Sequence, residues 1–481
     1  MAKPILIGAA AIALTFSGPA LADSLRGALV QAYQTNPTLT AARAGQRAND
    51  ENVPIALSGG RPDLSATGTF TEVLRKSPNS FTSPTRIGQA QLSLEVPIFQ
   101  GGAVRNGVLA AERRVEAGRA DLRTAEANLF TQVVAAYLDV ISNRNIVELN
   151  ANQVNVLETN AQATNDRFEI GDLTRTDVAQ AEARRELARG RLEAAQAELV
   201  AAEENYLRLV GDWPEALEPP PPLPDLPDSP DLAEDVAIGN NPGLISAQRS
   251  AEAARRDIDV AEAARLPQLS AVANGAYNNF FGTLGSGLVG ATFSQHETTA
   301  NIGLRATVPL YQGGGPSARV RQSQARYGQA QEAIIATERS VIADVRSAFS
   351  RYRAALQVID SSTHAVEANA LALEGTRAEN SVGLRTILDI LNAEQELLNS
   401  QVDLVTARRN AYVAGFNLLA AMGKAEAEDL GLDGGILYNS ADNYHRVRNI
   451  WSDWNDDPMP VTQATRTVDN PERAIVTTPE N

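Results

Sequence analysis

The sequence predicts a mainly α-helical protein with a membrane β-barrel, internally duplicated. Long coiled-coil hairpins form an α-barrel, and four strands per protomer contribute to a twelve-stranded trimeric β-barrel. Three observations predict this class. The first is that the chain repeats itself: Val96-Pro97-Ile98-Phe99-Gln100-Gly101-Gly102 returns 212 positions later as Val308-Pro309-Leu310-Tyr311-Gln312-Gly313-Gly314. Gly171, Asp177-Val178 and Val210-Gly211 return at the same offset as Gly383, Asp389-Ile390 and Met422-Gly423. Upstream the offset is 205, matching Asn36-Pro37-Thr38-Leu39 with Asn241-Pro242-Gly243-Leu244 and Pro62–Ala66 with Pro267–Ala271. A repeat of that length is a duplicated domain rather than a solenoid unit. The second is a pair of proline-free stretches, from Pro97 to Pro214 and from Pro316 to Pro458. The third is faultless apolar/polar alternation just before each Gly-Gly pair.

The elements follow in chain order. Lys3, the apolar run from Ile5 to Phe16 and the small-residue site Ala20-Leu21-Ala22 read as a signal peptide over 1–22. Each repeat then opens with a helix, capped by Asn36 before Pro37 and by Asn241 before Pro242. These helices are expected to reach about Ser58 and Leu266. Strands are expected at 64–74 and 87–99 in repeat 1 (23–211), and at 269–279 and 299–311 in repeat 2 (231–424). In the second strand of each pair, Ala90, Leu92, Leu94, Val96 and Ile98 oppose Gln89, Gln91, Ser93 and Glu95, and Ile302, Leu304, Ala306, Val308 and Leu310 oppose Asn301, Gly303, Arg305 and Thr307. Both runs have the length of a tilted membrane strand. Phe99, Tyr311 and nearby Phe70, Phe81, Tyr277, Phe280, Phe281 and Phe293 supply an aromatic girdle.

Long helices are expected at 102–169 and 317–381, each about 100 Å at 1.5 Å per residue. Val133, Val140, Val147, Val154, Ala161 and Phe168 recur every seven residues, echoed by Val345, Tyr352, Ile359, Val366 and Leu373. That period means left-handed supercoiling against a neighbour. Gly171 and Gly383 break the helices, and return helices follow at 174–210 and 386–422. Their stripe is small, with Ala181, Ala188, Ala195 and Ala202 against Ala393, Ser400, Ala407 and Ala414, so each hairpin packs closely. A Pro-rich linker (212–230) joins the repeats, and a polar tail (425–481) with little regular structure ends the chain.

Composition narrows the partners. A net charge of −16 disfavours nucleic acid and anionic surfaces. With no cysteine there is no disulfide, thiolate site or lipidated cysteine after the signal. No run approaches the roughly 20 apolar residues of a spanning helix, so membrane insertion is by strands. Four strands leave two unpaired edges, which hydrocarbon does not tolerate. The chain must oligomerise. Two copies give eight strands, the smallest barrel, and three give twelve with room for a lumen, so a homotrimer in outer-membrane lipid is favoured.

With these residues assembled, the chain resembles the TolC family of outer-membrane channels. The resemblance is carried by the paired Pro-Ile-Phe-Gln-Gly-Gly and Pro-Leu-Tyr-Gln-Gly-Gly junctions, by Gly171–Val178 and by Ser381–Leu391. It implies a trimer with a twelve-stranded barrel in the cell outer membrane and a twelve-helix periplasmic tunnel. It also implies partnership with a periplasmic adaptor (membrane fusion) protein and an inner-membrane pump of the ABC or RND type, exporting proteins or small toxic compounds. No cofactor is implied. Carboxylate rings at the second turn constrict the family's entrance: Asp389 holds the first position, while Asn392 replaces the second. A closed-state latch maps onto Arg385 with Thr176 and Asp177, and its tyrosine partner has become Asn380. Read without the family, Asp177 and Asp389 cap the return helices, where a carboxylate is favourable.

Other candidates carry less. Gly285–Gly290 fits GxGxxG but lies between strands with no helix following, which reads as a surface loop. His296, His364 and His445 lack metal spacing. Glu95 and Arg305 lie on polar strand faces and line the barrel lumen, or make a cross-strand contact. The resemblance also implies an equatorial belt around the tunnel, to which Trp451 and Trp454 could anchor the tail. No convergent catalytic site exists, so an enzyme is not expected. The rival reading, a pore-less periplasmic coiled-coil adaptor or structural protein, leaves the alternating strands without purpose.

Overall fold

A computed structural model describes residues 24–76, 83–224, 226–285, 293–432 and 437–469. The signal peptide, Phe81, most of the GxGxxG segment and the last prolines lie outside the described residues. Repeat 1 carries α1 (Leu25–Thr35), α2 (Pro37–Asp50), α3 (Asn52–Ser58), β1 (Asp63–Glu72), β2 (Arg86–Gln100), α4 (Ala103–Glu169) and α5 (Arg175–Val210). Repeat 2 carries α6 (Pro230–Asn240), α7 (Pro242–Ala263), β3 (Gln268–Asn279), β4 (His296–Thr307), α8 (Gly315–Ser381) and α9 (Ile387–Ala421). A short α10 (Asp442–Val447) follows.

Each long helix has 67 residues. Its upper part packs against the shorter helices and its lower part against its return helix: α4 on α2, α3 and α7 and then on α5 and α9, α8 on α7 and then on α9. The expected stripes face inward. Val133, Val140, Val154, Ala161, Val345 and Leu373 are buried on the long helices, and Ala181, Ala188, Ala202, Ser400 and Ala407 on the return helices. Alanine every second turn lets the axes approach, and dispersion contacts along the seam replace large side chains.

Most of the remaining core lies midway. Phe130, Val133, Tyr137, Tyr206, Val210, Val345, Phe416 and Leu418 gather there under α1, α6 and residues 425–432. Asn36 ties α1 and α2 to this level, its Nδ2 donating to the Leu209 carbonyl at 2.9 Å. In repeat 2 Asn241 donates to the Ala421 carbonyl at 3.0 Å. The duplication is thus visible down to single hydrogen bonds.

The sheet has the order β1-β2-β3-β4, all antiparallel. The α4–α5 hairpin is inserted between β2 and β3 while α8–α9 follows β4, and β2 of one repeat pairs with β3 of the other. Rows across the ladder share a face. Leu64, Leu94, Ala273 and Ile302 form one apolar row, and Ala66, Leu92, Gly275 and Ala300 another; Ser65, Ser93, Asn274 and Asn301 lie on the opposite face. Ile302 and Leu304 are 86% and 71% exposed on the isolated chain, as a lipid-facing surface requires.

Three expectations need correction. The first helix is broken at Glu51 rather than continuous to Ser58, because Pro54 has no N–H for the Asp50 carbonyl and its ring crowds that turn. β4 ends at Thr307, not 311, because Thr307 already pairs with Gln268, the first residue of β3. The tail is not featureless: it carries α10 and docks along α2 and α4 through Asn443 to Asp50 at 2.9 Å and Arg448 to Glu112 at 2.9 Å.

Candidate functional site: the helix turns and the sheet face

The two hairpin tips are built alike. Gly171 and Gly383 stand at φ 83° and 79°, a left-handed conformation that a side chain resists, and so end the long helices. Thr174 and Thr386 then cap the return helices. At each, the N-cap N–H donates to the aspartate three residues on (Asp177 Oδ2, Asp389 Oδ2) at 2.9 Å. The aspartate N–H returns the bond to the threonine Oγ1 at 3.3 Å. This reciprocal capping box satisfies two orphan donors. It also holds both carboxylates below the ordinary aspartate range, through hydrogen bonds from Thr174 to Asp177 and from Thr386 to Asp389. Asp389 therefore remains charged while doing structural duty.

The expected latch takes a different form within one chain. Arg385 Nε binds Glu379 Oε2 at 2.7 Å, across its own turn, rather than Thr176 or Asp177. The reason is proximity: Glu379 ends α8 six residues away, and Asp177 is already engaged by Thr174. Thr176 is exposed. Asn380 Nδ2 donates to the Arg385 carbonyl at 2.7 Å, closing the turn. Asn392 does reach the other hairpin, accepting from Arg184 at 2.8 Å. One turn deeper, Arg191 binds Gln395.

Sequence reasoning missed a buried contact between hairpins. Glu394 on α9 is 3% exposed. Its carboxylate accepts from Asn160 Nδ2 of α4, 3.1 Å to each oxygen, and from Arg377 of α8 at 2.9 Å. A buried charge needs such partners. The signal available was a glutamate interrupting the inward face of α9, next to the Ala393 stripe. In the sheet, Arg305 of β4 binds Glu95 of β2 at 3.3 Å, reaching across β3 on the polar face.

Among the described residues no group of three or more His, Cys, Asp or Glu could hold a metal, and no helix is long and apolar enough to cross a membrane. The polar and apolar faces of an open-edged sheet, set on two hairpins that each begin with a 67-residue helix, define the molecule. Outer membrane efflux proteins match it over residues 28–212 and 235–424, one stretch in each repeat.

The chain belongs to the outer membrane efflux protein family. Outer membrane efflux protein BepC of Brucella suis is 36% identical over 432 residues, covering 90% of this chain and 92% of that protein. Outer membrane protein TolC of Escherichia coli is 27% identical over 489 residues, covering 96% of each. The CmeC outer membrane channel of Campylobacter jejuni shares the fold, with a TM-score of 0.73 at 16% identity over 88% of this chain and 89% of that one. The chain is accordingly an outer-membrane channel protein, its sheet in the membrane and its helical hairpins in the periplasm. The family is one of transport proteins, not enzymes.

Proposed function

We propose that three copies close a twelve-stranded barrel over a twelve-helix tunnel. In this reading a periplasmic adaptor and an inner-membrane pump of the ABC or RND type deliver cargo to the helix turns. The observation that carries it is the sheet, whose edges β1 and β4 are unpaired in one chain while one face carries the apolar rows of Leu64, Leu94, Ala273 and Ile302 and of Ala66, Leu92, Gly275 and Ala300. Such a sheet is stable in lipid only when copies complete it. Glu95 and Arg305 then face the lumen. The efflux designation of the Brucella suis relative favours small toxic compounds as cargo over proteins.

The turns form the entrance. Asp389 contributes a ring of three carboxylates, and Asn392 gives the second ring no charge, so cation attraction there is modest. Arg385, Asn380, Thr176 and Asp177 shape the two turns, and Glu394 holds hairpin to hairpin just above them. Purified protein in planar bilayers tests this. We expect heat-modifiable trimers with a small cation-selective conductance that loses its selectivity in Asp389→Ala. A monomer that stays soluble without detergent rejects the channel, and unchanged selectivity rejects the ring.

A further inference from the structure

The described tail makes an excursion that export does not require. From Gly431, whose carbonyl accepts from Arg26 at 2.5 Å, it climbs the α2–α4 groove. Tyr438 N–H donates to Tyr33 Oη at 2.9 Å, Asn443 reaches Asp50, and Tyr444 donates to Glu112 at 3.2 Å. At the top, Arg61 donates to the Ile450 carbonyl at 2.5 Å, and its guanidinium lies 4.6 Å over the Trp451 ring. The chain then turns back. Asp457 pairs with Arg446 at 2.7 Å, and Thr465 lies against Gly211 at the end of α5. Arg61 fixes the height of the apex, because it stands two residues before β1 enters the membrane.

Trp451 and Trp454 crown this apex, 68% and 92% exposed, with Met459 beside them equally bare. At the mid-level of the helices Tyr33, Phe130, Tyr137 and Tyr206 are buried. Exposed aromatics recur at the membrane end of the helices, where Phe99 lies at the end of β2 and Tyr311 between β4 and α8. The tail also continues the layer formed by α1 on α4. On the luminal side that layer would obstruct the conduit, so it lies on the outer side of the tunnel, and only its apex beside Arg61 reaches the level of the lipid.

We infer that Trp451 and Trp454 anchor the tail in the periplasmic leaflet of the outer membrane, at the headgroup level beside the barrel rim. Indole rings favour that interface because one edge is apolar and the N–H is wet. The lipid is zwitterionic. No Lys or Arg occurs from Asn449 to Thr465, Asp453 and Asp456 flank the rings, Arg446 binds Asp457, and Arg61 is turned onto the Trp451 ring and the Ile450 carbonyl, so anionic headgroups find no basic cluster there. The inference rests on the membrane placement of the sheet and not on the gate.

Full-length trimer carrying Trp213→Phe, so that only Trp451 and Trp454 emit, is reconstituted in phosphatidylcholine vesicles containing nitroxide lipids labelled near the headgroup or near the chain end. Shallow labels are expected to quench about two-fold more than deep ones, and aqueous iodide weakly. Quenching by iodide and by neither lipid overturns the inference. Shielding from both also overturns it, since a protein neighbour then covers the rings. A second protein, Leu92→Trp in a background with all three tryptophans replaced by Phe, reports on the sheet. If that position too escapes lipid quenching, it is the barrel that fails and not the anchor.

Discussion

At the scale of single residues, the proposed entrance holds carboxylates with two kinds of surroundings. Glu394 is buried and satisfied by Asn160 and Arg377. Arg377→Ala leaves that charge without its cation, which costs about 1–3 kcal/mol. Glu394→Leu removes the charge itself and is expected to destabilise less, because no buried ion is stranded. Thermal unfolding of the two variants measures the order, and a larger loss in Glu394→Leu contradicts it. Glu394→Leu should also conduct more than the wild type, since it removes the Asn160 tie between hairpins, whereas Arg377→Ala keeps that tie and should conduct as the wild type does. Asp389 is different, exposed and held below its ordinary value of 3.8 by Thr386. A depressed carboxylate contributes stability above its unfolded value and loses it only as pH falls through the lower folded one. Cation selectivity should therefore stay flat from pH 7 to about pH 5. A titration midpoint near pH 6 assigns selectivity to another group.

Elements obey simpler rules, and most were legible. The seven-residue stripes place Val154 against Ala188, and Val133 and Val140 in one cluster with Ala202 and Tyr206, because period and burial are the same fact on a helix. Strands β1 and β3 read poorly because Gly68, Gly275, Ala273 and Ala276 have side chains too small to declare a face; only the ladder with β2 and β4 reveals it. The tail was illegible for a different reason. Its hold on α2 and α4 is a set of polar pairs between residues hundreds of positions apart, such as Arg448 with Glu112, and no periodicity encodes them. Glu394 with Asn160 is of the same kind. The alanine stripe yields a prediction at this scale. Ala181 is 1% exposed in the α4–α5 seam, so Ala181→Leu forces the helices apart and costs about 1–3 kcal/mol. The melting temperature of the trimer should fall, while Ala179→Leu, on an exposed position of the same helix, should leave it nearly unchanged.

For the whole molecule, the sheet is the one part whose stability is not contained in a single chain. Ile302 and Asn301 are neighbours in β4 yet belong to opposite faces, one in the apolar row with Leu64, Leu94 and Ala273, the other facing Asn274. Asn274 Nδ2 donates to Asn301 Oδ1 at 3.2 Å. A lysine at Ile302 must bring a charge into hydrocarbon, at about 2–4 kcal/mol near the bilayer midplane. Three copies in a closed barrel incur that cost three times. The same lysine at Asn301 gives up one exposed side-chain hydrogen bond and points into a polar lumen. Ile302→Lys is thus expected to abolish heat-modifiable trimers in the outer membrane, whereas Asn301→Lys should assemble normally and shift ion selectivity towards anions. The far-ultraviolet circular dichroism of Ile302→Lys should stay helical, since the hairpins draw their packing from the α4–α5 and α8–α9 seams. If both lysines assemble, or if Asn301→Lys is the one that fails, the faces are reversed, and with them the register on which the barrel depends.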